Sequence, residues 1–444
     1  MNSGSVGDMR ILIENSEYWL RNNGDLAMLQ VTVDRLRARW PHARIGVLTD
    51  SPALLAAYFP AAEGITVFDA DPWSRPQLIS KIARVLGPRV VGPVALAHLR
   101  GRVWLPQKAR GARRRLLRNL FPQRPVPEEL ASPRPHVGSM RAAAEADMVV
   151  ALGGGYLTDA DRAQTLRVLN LVEHAGAHDV PVALLGQGVG PLTDDDLTRR
   201  CSQVLPGVSM IAVRERRRGP ALLDRFGVPP ERVRVTGDDA IELAHTIARA
   251  DLGTGVGICL RIAGYSPVAD AAARVVGQVV REAAEHNGSP LVPLIIAEYR
   301  NQDRRSTLPL VRGARSVVPP LPRFVAPREV ARRVGDCRVL VTGAYHLAVF
   351  ALSQGIPVVA ITSTEYYDDK FLGLADMFGL GLTVVRLDDP ELETKLRAAV
   401  NAAWEAAPNV REPLRDSARA QIATSRAAFD RVHSLLLDAV SERA

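Results

Sequence analysis

The stretch Met148–Asp159, MVVALGGGYLTD, decides the fold of this chain. Five apolar residues, Met148–Leu152, form a run of strand length, and three glycines follow before a polar turn. The same order recurs at Val182–Pro191, where the apolar run VALL precedes the loop GQGVGP. Two successive strands that each end in a glycine-rich loop are typical of a parallel α/β sheet.

Short apolar runs on both sides of this stretch extend the pattern. Runs at Arg10–Glu14 and Ile45–Leu48 enclose a helical periodicity headed by Asp25, which predicts a βαβ unit. The remaining strands are predicted at Met210–Val213, Val233–Val235, Val256–Leu260, Leu291–Ile296, Ser316–Val318, Val339–Val341, Val358–Ile361 and Val384–Val385. Alternation of these strands with helices predicts two Rossmann-like, doubly wound parallel-sheet α/β domains.

The length of 444 residues exceeds what one hydrophobic core organises, which supports two domains. A polar, glycine-containing passage at residues 251–255 marks the boundary between them. We predict an N-terminal domain over residues 9–250, with a basic insertion at about 100–135, and a C-terminal domain over residues 251–410. Residues 411–444 are predicted to form a helix that packs back on the N-terminal domain.

The net charge of +8 is compatible with nucleic acid, an anionic membrane or small anionic substrates. One segment, residues 108–118 around Arg114, is locally basic and interleaved with leucines. It predicts either a solvated insertion or an amphipathic helix that rests peripherally on anionic lipid. Phe121 alone is a poor stacking platform for bases, so a nucleic-acid partner is not expected.

Three widely separated cysteines indicate neither a disulfide framework nor a zinc site, and no metal is expected. No apolar run reaches the roughly 18 residues needed to span a bilayer, and the first residues lack the apolar stretch of a signal peptide. We therefore expect a cytoplasmic protein, with a peripheral position at the inner membrane face left open by the basic segment.

In paired α/β domains, ligands bind in the cleft at the carboxyl ends of the strands. Arg214 follows one predicted strand and can hold a phosphate or carboxylate. His346 lies between a strand and a helix, where it is either a structural histidine or a general acid or base. The glycine loops can direct amide groups at an anion, but they match neither GxGxxG nor GxxxxGK[ST]. Asp25, and one of Asp238 and Asp239, have helix capping as the alternative to a ligand contact.

Taken in order, these motifs resemble the polysaccharide pyruvyl transferase family over most of the chain. The residues that carry the resemblance are Asn23-Gly24-Asp25, Gly153-Gly154-Gly155 with Asp159, Gly186-Gln187-Gly188-Val189-Gly190-Pro191, Val213-Arg214-Glu215, Gly237-Asp238-Asp239-Ala240, His346 before Gly355-Ile356-Pro357, and Lys370 before Gly373-Leu374. The resemblance implies two Rossmann-like halves arranged as in GT-B glycosyltransferases.

The activity that the resemblance implies is transfer of a pyruvyl group from phosphoenolpyruvate to two hydroxyls of a sugar or glycan. The product is a cyclic ketal, phosphate is released, and no cofactor is needed. The acceptor is left open between a free, a nucleotide-linked and a lipid-linked sugar, and a homo-oligomer is also left open. The implied site comprises catalytic His346 and Asp159, donor-binding Arg214, Lys370, Arg261, Gly343 and Gly188, and acceptor-binding Asn23, Asp25, Gly154, Gly155, Gln187 and Glu365.

One position departs from the family pattern. Family members carry an arginine two residues before the histidine, and this chain has Ala344 there. Arg261 and Arg216 are the candidates to replace that cation. Two other functions remain open: a GT-B-type glycosyltransferase in which Glu365 binds the ribose of a nucleotide-sugar donor, and a catalytically silent member of the family.

Overall fold

Two parallel β-sheets organise the chain in the computed structural model, which describes residues 9–15, 18–74, 78–102, 137–262, 267–298 and 302–443. The basic segment 108–118 and most of the predicted insertion lie outside these residues. The first sheet contains β1 Arg10–Glu14, β2 Arg44–Leu48, β3 Glu63–Ile65, β4 Met148–Ala151, β5 Gly154–Leu157, β6 Val182–Val189, β7 Met210–Val213 and β8 Val233–Val235. The second contains β9 Gly255–Cys259, β10 Leu291–Pro293, β11 Cys337–Thr342, β12 Val358–Thr362 and β13 Leu382–Arg386.

The strand order in the first sheet is β3-β2-β1-β4-β6-β7-β8, with β5 paired to β6, and in the second it is β10-β9-β11-β12-β13. Every pairing between these strands is parallel. Strands β4 and β9 are buried along their whole length, as expected for parallel strands covered on both faces. The predicted fold class, two Rossmann-like α/β domains, is confirmed.

Helices cover the faces of both sheets. They are α1 Asn23–Arg39, α2 Pro52–Tyr58, α3 Leu78–Leu86, α4 at residues 88–102, α5 Val137–Ala144, α6 Arg162–Gly176, α7 Asp195–Val204, α8 Gly219–Arg225, α9 Ala240–His245, α10 Asp270–His286, α11 Gln302–Thr307, α12 Pro327–Val334, α13 Tyr345–Ser353, α14 Glu365–Phe378 and α15 Leu392–Arg443. One apolar core runs from β1 through α1, α9 and α13 to β12. In the described ranges, no helix is both long enough and apolar enough to cross a bilayer.

Several local features differ from what the sequence suggested. Residues 316–318 do not form a strand, because only Val317 makes a bridge, to Leu291. Strands β3 and β5 were missed, since both are short and β5 lies inside the glycine run. Asp25 does not cap α1; the side chain of Asn22 accepts a hydrogen bond from the Gly24 amide at 3.0 Å, and Asp25 lies in the first turn.

The two halves meet where the strands end. Asn22 and Ala297 form an antiparallel bridge, and the amide of Glu298 donates to the carbonyl of Arg21 at 2.9 Å. Arg218 and Asp369 add an ion pair of 2.8 Å between the halves. The carboxyl ends of both sheets therefore face the same cleft.

The last helix, α15, contacts both halves. It begins at Leu392, well before the predicted start at residue 411, and it packs on α10 and β13 in the second half. Pro408 and Pro413 lie within it. Beyond them, Ser425 donates to Asp239 at 2.6 Å and accepts a hydrogen bond from Arg35 at 2.7 Å.

Candidate active site

The cleft brings together four basic side chains from four different strand ends. Arg214 follows β7 and Arg261 follows β9, while His346 and Lys370 lie in the helices after β11 and β12. A methyl group built on Gly155 would lie 2.6 Å from Lys370 Nζ and 3.0 Å from Arg214 Nη2. The two cations therefore converge on the backbone of β5.

His346 is the second residue of α13 and its side chain is only 12% exposed. Its ring packs against the backbone of Gly24 in the opposite half, so closely that a side chain at Gly24 would overlap it. The buried Nε2 has no hydrogen-bond partner among the described residues, although Asp238 Oδ2 lies 3.7 Å away. Burial, with Arg214, Lys370 and Arg261 nearby, holds the pKa of His346 well below its ordinary value. The imidazole is therefore neutral in the free protein.

Arg214 is held in place by a buried acid and an aromatic ring. Its Nη1 lies 3.5 Å from Asp238 Oδ2, and its guanidinium lies 4.2 Å from the centre of the Tyr345 ring. Asp238 is fully buried, and its Oδ1 accepts a hydrogen bond from the Ala240 amide at 3.0 Å. Burial raises the pKa of Asp238, while the charge of Arg214 opposes that rise.

Lys370 lies over the rings of Tyr366 and Tyr367, at 3.9 and 5.5 Å from their centres. Its ammonium group donates to the hydroxyl of Tyr366, which in turn donates to the Gly155 carbonyl at 2.8 Å. Burial and the charge of Arg214 lower the pKa of Lys370 well below its ordinary value, and Asp25 opposes that effect. A bound anion would relieve this crowding of positive charge.

Arg261 lies beside the position of the missing family arginine. A methyl group built on Gly343 would lie 3.3 Å from the Arg261 amide, and Gly343 directly precedes Ala344. The guanidinium pairs with the buried Asp303 at 2.9 Å. Its positive charge helps to lower the pKa of both His346 and Lys370. Arg216 is exposed instead.

Several residues expected in the site have other contacts. Asp159 accepts hydrogen bonds from the amide and hydroxyl of Thr193, at 2.6 and 2.7 Å, and so stabilises a loop. Gln187 is fully buried and donates to the carbonyls of Ala151 and Leu152, which corrects its assignment to an acceptor site. Asn23 is buried next to the domain bridge, and its amide donates to Ile296. Glu365 is exposed at the start of α14.

The glycine loops allow close packing, whereas the sequence suggested that their amide groups could bind an anion. A methyl group on Gly188 would lie 2.8 Å from Arg214 Nη2, and one on Gly153 would lie 2.6 Å from the Gly186 carbonyl oxygen. Gly154 pairs with Gln187 between β5 and β6. These glycines make room for the Arg214 and Lys370 side chains and for close strand packing.

Sequence reasoning missed Asp238, Tyr345 and Tyr366 as site residues. The sequence left open which of Asp238 and Asp239 caps a helix; in the structure Asp238 Oδ1 accepts a hydrogen bond from the amide of Ala240, the first residue of α9, and its other oxygen faces Arg214. Tyr366 stands four residues before Lys370 in α14, a spacing that places the two side chains together. That spacing was the available signal.

The arrangement suits a small, multiply charged anion. Arg214, Lys370 and Arg261 supply positive charge, and His346 supplies a site for a proton. Among the described residues, no group of three or more histidine, cysteine, aspartate or glutamate side chains is placed to hold a metal ion.

The fold is similar to that of several solved structures. These are the UDP-GlcNAc 2-epimerase of Neisseria meningitidis bound to UDP-GlcNAc (TM-score 0.53, 12% identity, 97% of this chain and 99% of that chain), MnaA of S. aureus with UDP (TM-score 0.56, 10% identity, 97% of each chain) and the UDP-GlcNAc 2-epimerase of Methanocaldococcus jannaschii with UDP-GlcNAc and UDP (TM-score 0.52, 11% identity, 96% and 99%). They show a GT-B-like arrangement of the two halves, as the resemblance implied.

No curated protein matches the sequence. The family model for polysaccharide pyruvyl transferase matches residues 22–365, which include Asn23, Arg214, Arg261, Asp238 and His346. Lys370 lies five residues beyond the matched range. Since the match covers most of the chain, the chain belongs to the polysaccharide pyruvyl transferase family.

Proposed function

We propose that this protein transfers the pyruvyl group of phosphoenolpyruvate to two hydroxyls of a sugar or glycan acceptor. The observation that carries the proposal is the convergence of Arg214, Lys370 and Arg261 around His346, in a cleft of a chain that belongs to this family. Phosphoenolpyruvate carries a carboxylate and a phosphate, which match three clustered cations.

The first step joins the donor to the acceptor. A proton passes from His346 to the methylene carbon of phosphoenolpyruvate, the adjacent carbon becomes oxocarbenium-like, and an acceptor hydroxyl adds to it and loses its proton. In the free protein His346 is neutral because burial and three cations lower its pKa. The bound donor neutralises those cations, so the pKa of His346 rises and the imidazole is protonated when it is needed.

The second step closes the ketal. The C–O bond to phosphate breaks with the electron pair leaving on phosphate, and the second hydroxyl of the acceptor forms the second C–O bond and loses its proton. One hydroxyl proton restores His346 and the other leaves with phosphate, so atoms and charges balance. Arg214, positioned by Asp238 and Tyr345, stabilises the negative charge on the departing phosphate.

Phosphate release from phosphoenolpyruvate, measured over free, nucleotide-linked and lipid-linked sugars, tests this proposal. We expect acceptor-dependent release that is lost in His346→Ala and retained in His286→Ala, a matched substitution of an exposed histidine at the end of α10. Release without any acceptor, or release that survives His346→Ala, contradicts the mechanism.

A second candidate is sugar transfer from a nucleotide donor. Two observations favour it: structures of similar fold hold UDP or UDP-GlcNAc, and Glu365 is exposed at the carboxyl edge of the second sheet, where it can accept hydrogen bonds from a ribose. Thermal shifts separate the two, because a ligand at a hundred times its dissociation constant stabilises by about 2.7 kcal/mol. A shift with a UDP-sugar but not with phosphoenolpyruvate selects this candidate, and a shift with neither indicates a silent family member.

A further inference from the structure

An apolar surface of unusual composition lies on α3 and α4. In α3, the large apolar side chains face solvent: Leu78, Ile79, Ile82, Val85 and Leu86 are between 50% and 87% exposed. At 3.6 residues per turn these five side chains occupy one continuous arc of about 120°. An ordinary surface helix turns such an arc toward the core. Here the arc is turned outward.

Helix α4, the next element of the chain, also exposes two large apolar side chains, Val90 and Val94, which are 57% and 71% exposed. The opposite sides of both helices hold them to the protein: Ala83 is buried with Ala56 and Ala57, Leu96 and Leu99 are buried, and Gly92 packs against Phe324. Both helices therefore have a packed face, and the exposed apolar residues lie on the opposite face. We refer to the seven exposed residues as the α3–α4 strip.

Every charged side chain within α3 and α4 is positive. Residues 78–102 include Lys81, Arg84, Arg89, Arg100 and Arg102, and no aspartate or glutamate. Arg89 is paired with Glu329, while Lys81, Arg100 and Arg102 are exposed. Viewed down the axis of α3, Lys81 lies at the edge of the apolar arc. Positive charge and apolar side chains are therefore neighbours on the same surface.

We infer that the α3–α4 strip docks on the surface of an anionic lipid bilayer. Contiguous apolar side chains gain free energy by entering the boundary between head groups and acyl chains, and the flanking cations are attracted to anionic head groups. Two helices that carry cations and no acid of their own fit a partner that is negative throughout. The inference does not depend on the donor chemistry, and it would place the active-site cleft on a protein held at a membrane.

Sedimentation of the full-length protein with lipid vesicles tests the inference. We expect binding to vesicles of phosphatidylcholine mixed with phosphatidylglycerol, weaker binding to phosphatidylcholine alone, and weaker binding as salt is added. The double variant Ile79→Glu/Val85→Glu should bind at least about tenfold more weakly, because two apolar side chains no longer enter the bilayer. Lys81→Glu should also weaken binding.

The matched control is Val317→Glu, which changes an exposed apolar residue of the other half of the molecule and should bind as the wild type does. Because Ile79 and Val85 are exposed, thermal midpoints should be unchanged, and donor-dependent thermal shifts should be the same in all variants. Equal vesicle binding by wild type and the double variant overturns the inference. So does binding that is lost only when Arg113, Arg114 and Arg115 are replaced, since the basic segment would then be the docking element.

A second copy of the chain is the competing occupant. Analytical ultracentrifugation without lipid distinguishes it: a wild-type dimer that Ile79→Glu/Val85→Glu converts to a monomer would show that the strip is a protein interface, and would overturn the inference. A monomeric wild type that binds vesicles supports it.

Discussion

Gly24 in α1 and His346 in α13 touch across the cleft, and no side chain larger than hydrogen fits at position 24. A methyl group there would lie 2.6 Å from the Cβ of His346 and closer still to its ring. The backbone of Gly24 in the first half therefore holds the imidazole of His346 in the second half in place. The position of the His346 ring thus depends on the closed arrangement of the two domains.

Gly24→Ala should reduce donor-dependent phosphate release by at least about tenfold, since displacement of a catalytic group by an ångström can cost a hundredfold. Alanine favours a helix over glycine by about 1 kcal/mol, so loss of local helix stability would not explain the effect. The control is Gly176→Ala at the end of α6, where a methyl group meets nothing within 4 Å. Full activity in Gly24→Ala would mean that the contact does not position His346.

Binding of phosphoenolpyruvate should take up protons. The pKa of His346 is low in the free protein because of burial and three cations, and an anion at those cations raises it. At a pH between the pKa of His346 in the free protein and its higher pKa in the complex, the complex holds a proton that the free protein lacks. The affinity for phosphoenolpyruvate should therefore increase as the pH falls through that range. Calorimetry in buffers of different ionisation enthalpy measures the uptake. An uptake equal in wild type and His346→Gln would place the proton elsewhere.

Lys370→Met should stabilise the ligand-free protein while abolishing donor binding. Burial and Arg214 lower the pKa of Lys370 below 10.5. At every pH below 10.5, holding a proton on Lys370 therefore costs free energy in the folded state that it does not cost in the unfolded state, which lowers the free energy of unfolding. Each unit of lowering corresponds to about 1.4 kcal/mol, and the gain in the variant should shrink as the pH rises toward 10.5. Thermal denaturation across pH checks this. Lys395→Met, at an exposed ion pair, should change stability little. A destabilised Lys370→Met would show that its contacts with Tyr366 outweigh the repulsion.

Asp238→Asn should lower kcat roughly 10- to 100-fold and shift the pH profile. The asparagine can still cap α9 through Oδ1, but the negative charge facing Arg214 and His346 is lost. Without that charge the pKa of His346 falls further, so the limb of the profile that requires a protonated histidine should move to lower pH. Asp239→Asn is the matched control, because Asp239 contacts Arg35 and Ser425 instead and should alter stability without moving the profile. A profile unchanged in Asp238→Asn would leave Asp238 with a structural role only.

Arg261→Lys should raise KM for phosphoenolpyruvate, whereas Arg216→Ala should not. Arg261 lies next to Gly343 and its charge reaches His346, while Arg216 is exposed. Lysine keeps the charge beside the buried Asp303, so the fold should persist, but it cannot bind an anion with two parallel hydrogen bonds. Steady-state kinetics give the comparison, and an effect confined to Arg216→Ala would reverse the assignment.

The sequence alone allowed prediction of both sheets, because buried parallel strands appear as short continuous apolar runs such as Met148–Leu152. It also supplied Arg214 and His346 as candidates, since Arg214 directly follows a strand and His346 lies at the start of the helix after one. It did not indicate Asp238 as a partner of both, because capping explains an aspartate before a helix equally well. Nor did it show that Gly155 and Gly188 leave room for the side chains of Lys370 and Arg214. Tyr366 meets Gly155 across 211 residues, and no local periodicity encodes a contact of that separation.

The long C-terminal helix has a mechanical consequence. The chain passes from the first half to the second once between β8 and β9, and α15 returns along about 50 Å of helix, from Leu392 to Ser425, to reach Arg35 and Asp239. The apolar core that α1, α9 and α13 share joins the halves as well, so that separating them would expose buried apolar surface. We expect this shared core and the returning helix together to keep Gly24 in contact with His346 in the absence of ligand.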